Sequence, residues 1–439
     1  MSAGQRADWW RPDLAPAVAA GRPSDLAGAG TGAGSETPFR ALMAFTFVLI
    51  LAPQSFVPAL APMRPGLLMA AIAITTYLLD RLVNSRPILR ITPEIAVSAA
   101  LLAWAVATIP WSLWPGGSLA FILEVYSKTL AIFCLLAQVV VTPRRLRAVA
   151  RGLTLMAIPL ALFGIREYLA GRFINTGAVR RIQSYDAPLT QNPNDLALML
   201  NLILPLTLAL ILMKPTPGAR LVLVAGALVS VVAIILTFSR AGFLTLAVTG
   251  VLYLARTLRR PGRGWALAVL ALALLGTPFL PQGYVDRLST ITDIRSDPTG
   301  SAQERWGDTQ AAVRFVAANP VVGAGIAMNA LALNEYRGAL WKKVHNVYLE
   351  YAVDLGLPGL ALFLVLLAGC IRATAVVKRR AAPRPEGRDL FLLAEGIQTA
   401  LCAFAFAAMF HPVAYHFYFY YMAGLALAAR AASEAGASG

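Results

Sequence analysis

The feature that most constrains this chain is a succession of apolar runs, each about the 20 residues that carry an α-helix across a hydrocarbon layer roughly 30 Å thick. Twelve such runs are read, at approximately 41–60, 66–82, 94–113, 118–141, 149–168, 194–213, 219–238, 240–257, 264–280, 346–371, 389–410 and 412–430. In lipid every backbone N–H and C=O must be satisfied within its own segment, so runs of this length dictate helices. Composition agrees, with 58% of the 439 residues hydrophobic and 14% charged, against roughly 25% charged in soluble domains. The expected fold is all-α and polytopic, with about 12 transmembrane helices. The expected organisation is a disordered tail over 1–39, helices one to nine over 40–280, a helical loop over 281–345, helices ten to twelve over 346–430 and a tail over 431–439.

The net charge of +16 does not point to nucleic acid in such a chain, because Lys and Arg collect in cytoplasmic connections and set orientation. Clusters such as Arg144, Arg145, Arg147 and Arg151, and Arg379, Arg380, Arg384 and Arg388, place both termini in the cytoplasm. Loops 169–193 and 281–345 then face outward. Cys134, Cys370 and Cys402 lie in apolar runs without metal-ligand spacing, so neither a disulfide framework nor a zinc site is expected. Residues 1–39 contain no apolar h-region, and no signal peptide is expected there.

Crossing parity holds whichever way the chain faces. Two runs separate Asn194 from Arg240, and two more separate Arg240 from His345. An even number of crossings returns the chain to the same side. The polar QNPND stretch (191–195), the turn at Arg240 and the hydrophilic passage should therefore share one side. Within that passage Ser301 and Glu304 fit a capping box, and a helix from there should stop near Ala318, before Pro320. Gly323 and Gly325 permit a tight turn. A second helical stretch is expected over about 326–340, and Gly356, Pro358 and Gly359 should interrupt the tenth run near its start.

Several side chains in these positions carry chemistry. Arg240 sits between two apolar runs in LTFSRAGF. It reads either as a snorkelling interfacial cation or as an anion clamp whose planar fork suits phosphate. Arg305 reads as a solvated loop charge or as a second clamp. His345, at the junction of loop and membrane, has a pKa range suited to taking a proton from a hydroxyl. Asn346 follows it, and Glu350 is placed to orient it or to pair with a loop cation. Glu124 and Lys128, four apart, are expected to neutralise each other. The aromatic cluster Tyr415–Tyr421 reads as an interfacial belt, or less readily as a sugar-stacking surface, and His411 as interfacial. There is no GxxxxGK[ST] loop, no HExxH and no Asp-x-Asp pair at an external loop. A charged leaving group would thus be neutralised by arginine rather than by a divalent ion.

Arg305-Trp306, Asn319-Pro320, Gly323-Ala324-Gly325, His345-Asn346-Val347-Tyr348-Leu349-Glu350 and the trailing Gly356 and Gly359 together resemble the signature of the O-antigen ligase and polymerase superfamily of bacterial envelope glycosyltransferases. NPND (192–195) and SRAG (239–242) look like that family's preceding motifs, and the resemblance extends over about 40–430. It implies transfer of a glycan from undecaprenyl pyrophosphate, without metal or other cofactor and with inversion, at the periplasmic face of the bacterial inner membrane. In the ligases the acceptor is a sugar hydroxyl of lipid A-core. Carried onto this sequence, Arg240 and Arg305 would bind the pyrophosphate and His345 would act at the reacting centre, with Asn194, Asn346 and Glu350 as further substrate-binding candidates. Chain polymerases and protein O-oligosaccharyltransferases share the motif and remain alternatives. A lipid-linked sugar transporter is a reading of another class, against which the lack of two matching halves speaks.

Overall fold

The structure is a computed structural model that describes residues 35–176, 179–185, 189–190, 192–258, 284 and 300–435. The tails over 1–34 and 436–439, the expected ninth span at 264–280, Gln191 and most of 281–299 lie outside the described residues.

Outside the hydrophilic passage, eleven long helices among the described residues follow from local signals. They are α1 (Glu36–Leu51), α2 (Pro65–Val83), α3 (Pro93–Ala107), α4 (Pro115–Val139), α5 (Pro143–Leu169), α6 (Pro193–Leu212), α7 (Pro217–Leu236), α8 (Arg240–Thr257), and, after the loop elements, the helices Val347–Ala381, Arg388–Ala407 and Phe417–Ala435. Proline opens α2 to α7, where its fixed φ suits a first turn and its missing N–H costs nothing. Thr92, Thr142, Asn192, Ser239 and Asn346 cap their helices through side-chain oxygens. Among the described residues seven helices are long and apolar enough to cross a membrane. Two expected spans come out shorter. Helix α1 ends at Leu51 because Ala52 turns left-handed ahead of Pro53, and α3 ends at Ala107.

The hydrophilic passage holds α9 (Ser301–Ala318), which stops before Pro320, and two one-turn helices, α10 (Asn329–Ala332) and α11 (Asn334–Arg337). The helical stretch expected over about 326–340 thus consists of two separate turns within 329–337, and Gly338, at φ 87, ends the second. Nor does Ser301 cap α9. The N-cap is Gly300, in the left-handed region, and the Ser301 hydroxyl has a distant partner instead. The chain re-enters the bundle as α12 (Val347–Ala381), which breaks at Gly356 (φ 67, ψ −174). The turn 323–325 docks against that break. Ala324 N–H donates to Val353 O at 2.7 Å and Gly325 N–H to Asp354 O at 2.8 Å. A Cβ on Gly323 would lie 2.6 Å from Val353 O, so only glycine permits the approach.

The last two helices are α13 (Arg388–Ala407) and α14 (Phe417–Ala435). Helix α14 is the core of the bundle, and here the aromatic cluster needs correction. Tyr415 and Phe417 to Tyr421 are all buried, so they form neither a lipid-facing belt nor a sugar-stacking surface. Their rings pack on Tyr126, Phe133, Tyr351 and Phe363, and the Tyr126, Tyr420 and Tyr351 hydroxyls bond in series at 2.8 and 3.2 Å. Glu124 and Lys128 are also corrected. Both are exposed, and no ion pair joins them among the described residues. Residues 122–126 form a π-helical turn, whose wider spacing takes a residue pair four apart out of register.

Candidate active site

At one end of the bundle, three separate pieces of chain meet on Asn194, in the first turn of α6. Its Oδ1 accepts from Arg181 Nη2 at 2.7 Å and from Ser239 Oγ at 2.8 Å. Its backbone oxygen lies 3.3 Å from Nε2 of His411. Arg181 belongs to a two-stranded hairpin, β1 (Ile174–Thr176) and β2 (Val179–Arg181), and also donates to Thr237 O at 3.1 Å. Helices α7 and α8 are joined by only Thr237, Phe238 and Ser239. Phe238 takes a left-handed φ of 52, a conformation costly for a residue with a bulky Cβ substituent. That tight connection leaves Arg240 as the first residue of α8.

Arg240 Nη2 donates to Ser301 Oγ at 2.9 Å. Ser301 begins α9 and Arg305 lies four residues on, the spacing at which helix side chains are neighbours. The structure thus brings the two arginines to one locality through a bond no sequence pattern announced. His411 ties this locality to His345. Burial pushes its imidazole down to about 4, the hydrogen bond to Ala407 O acts the other way, and the charges of Arg305 and His345 lower it further. Both of these groups therefore lie within electrostatic reach of His411, which the sequence reading had placed merely at an interface.

His345 is fixed by its neighbours. On one side Val344 N–H donates to Asn329 Oδ1 at 3.1 Å, and the Asn329 amide is held by the fully buried Asp354 carboxyl. On the other, Asn346 Oδ1 caps α12 by accepting from Tyr348 N at 2.9 Å and Leu349 N at 3.1 Å. Asn346 thus uses its oxygen for the helix. Glu350 is buried to 1% exposure, and its Oε2 accepts the Ala414 N–H at 2.8 Å. It anchors the 408–416 segment and makes no ion pair with His345 among the described residues. The carboxylate that does face His345 is Asp308, three residues beyond Arg305 on α9, with Oδ2 at 3.7 Å from Nδ1. Arg337 pairs with the other Asp308 oxygen. The sequence reading missed Asp308, Arg337, Arg181 and Ser301. Only Asp308 had a usable signal, its one-turn spacing from Arg305.

Residues 225–364 match the sequence profile of the O-antigen ligase family. The match covers about a third of the chain and supports the O-antigen ligase superfamily for that segment. The matched segment includes Ser239, Arg240, Arg305, Asp308 and His345, and it leaves out Asn194, Arg181 and His411. No curated protein matches the chain. Among solved structures, a chain from a peptidoglycan synthase complex is a distant likeness, at 22% identity and a TM-score of 0.43, covering 78% of this chain and 97% of that one.

Proposed function

We propose that this membrane protein of the O-antigen ligase superfamily transfers a glycan from undecaprenyl pyrophosphate to a sugar hydroxyl of lipid A-core, at the periplasmic face of the bacterial inner membrane. The observation that carries the reading is the Arg240–Ser301 bond, which sets one arginine beside the first turns of the helix bearing the other. Breaking a glycosyl–phosphate bond leaves negative charge on the departing pyrophosphate. Two preorganised guanidinium groups in a site of low dielectric stabilise that charge more in the transition state than in the ground state. His345 takes the proton of the attacking hydroxyl as its oxygen bonds to the anomeric carbon, and the pyrophosphate departs from the opposite face with the bonding electrons. Direct displacement of this kind inverts the anomeric centre. The polyprenyl tail remains in the bilayer.

Two experiments test the proposal. In a deletion strain, glycan gel electrophoresis should show bare core with lipid-linked polymer accumulating. Single repeat units on the core would instead assign a polymerase, and an unchanged core with altered glycoproteins a protein O-oligosaccharyltransferase. With purified protein in lipid vesicles, Arg240→Ala, Arg305→Ala and His345→Ala should each abolish transfer at wild-type protein level. Transfer that persists in all three would place the chemistry elsewhere.

A further inference from the structure

Asp308 is 1% exposed, and one of its oxygens is held by the Arg337 guanidinium, itself 5% exposed. The other oxygen and Nδ1 of His345 stand 3.7 Å apart, and among the described residues neither atom has a hydrogen-bond partner. Buried polar atoms left without partners are rare and call for a physical reason. Here the two face each other, and a movement of less than about 1 Å would close an N–H···O bond of ordinary length. Hydrogen bonds that are long in a free enzyme commonly tighten when substrate binds.

Resting on the functional reading above, we propose that Asp308 is the positioning residue for His345. It accepts from Nδ1–H and so holds the ring in the tautomer whose Nε2 carries a lone pair, while Arg337 fixes the carboxylate. The acceptor hydroxyl gives its proton to Nε2. The imidazolium that forms lies against the Asp308 carboxylate, which stays charged and takes no proton. The hydroxyl oxygen bonds to the anomeric carbon, the carbon–oxygen bond to pyrophosphate breaks, and the leaving group takes the electron pair. The imidazolium then returns its proton to water.

Arg337 gives the variant Asp308→Asn a defined outcome. A guanidinium has only donors, so the carboxamide must turn its oxygen to Arg337 and its NH2 to His345. An NH2 facing Nδ1 requires a lone pair there and drives the ring proton to Nε2, where it blocks proton acceptance. The same logic makes an aspartate-to-asparagine change severe in a serine-protease triad.

The test uses the full chain in lipid nanodiscs with 15N-labelled histidine, and His345→Gln identifies the signal. At about pH 8, where a free imidazole is neutral, wild-type His345 should carry its proton on Nδ1, and in Asp308→Asn the tautomer should invert. In the transfer assay kcat of Asp308→Asn should fall about 100-fold or more, with both KM values within about threefold and partial recovery in Asp308→Glu. Wild-type His345 protonated on Nε2 overturns the proposal without reference to any variant, and so does an Asp308→Asn protein that keeps the wild-type tautomer or kcat. A tautomer that inverts in a protein with no transfer activity would remove the functional reading and leave the positioning role standing.

Discussion

Replacing Asp354 by Ala would release the strap that holds His345. Its buried carboxyl accepts Ala327 N–H at 3.0 Å, Asn329 N–H at 2.7 Å and the Asn329 side-chain amide at 3.2 and 3.3 Å. Truncation leaves those donors buried without an acceptor, at about 1–3 kcal/mol each. Removing the desolvation cost of the carboxyl offsets part of this, so a net loss of about 3 kcal/mol is expected. At 1.4 kcal/mol per decade, amide exchange over 324–330 and at Val344 should accelerate about 100-fold. Hydrogen exchange of the full protein in nanodiscs reads this directly, with the α13 and α14 amides as internal reference. Transfer should fall in parallel, because Val344 N–H loses the Asn329 oxygen that holds it. Unchanged exchange over 324–330, or acceleration spread evenly over the bundle, would refute the assignment of Asp354 to this strap.

Two further outcomes follow from local geometry. At Gly356 an added Cβ would overlap the Val321 carbonyl oxygen, and the φ of 67 disfavours any L side chain, so Gly356→Ala should cost about 1–3 kcal/mol and lower the thermal midpoint; an unshifted midpoint would mean that the break in α12 is not required. His411, buried and pushed down to about 4, stays neutral in the fold while an unfolded histidine protonates near 6.5. Stability is then fully present above about pH 6.5 and declines as pH falls toward 4, by about 3 kcal/mol in total. Unfolding midpoints measured from pH 8 to 4.5 should show that slope and should lose it in His411→Gln, whereas parallel curves for the two proteins would show that His411 is not the group responsible.

The elements were legible where a local signal decides them. Pro320 follows the end of α9 as expected, and Gly356 breaks α12 near its start where the tenth run was expected to be interrupted. What the sequence hid has two physical causes. Ser301 has the same capping chemistry whether it serves its own helix or a distant arginine, and tertiary geometry chose Arg240. Asp308, Arg337 and Asp354 likewise have their roles only through partners far along the chain. The Tyr415–Tyr421 cluster failed for the other reason. Lipid and protein interior are equally apolar, so composition cannot separate a belt from a core. Crossing parity expects Asn194, Arg240 and His345 on one side; the Asn194–Ser239 and Arg240–Ser301 bonds join the first two to the start of α9, while the ninth span, on which the count to His345 rests, lies outside the described residues.

The pinning of His345 between the Asn329–Val344 bond and the Asn346 cap has a consequence for how the site meets a ligand. Fixing a residue's backbone costs about 1–2 kcal/mol of conformational entropy. For His345 that loss falls at folding, when the cap and the strap form, rather than at encounter. A long lipid-linked ligand brings many soft torsions to be ordered, and the residue it meets adds none of its own to that cost. Slow binding would then reflect the ligand and the loops around it, with His345 already in place when the ligand arrives.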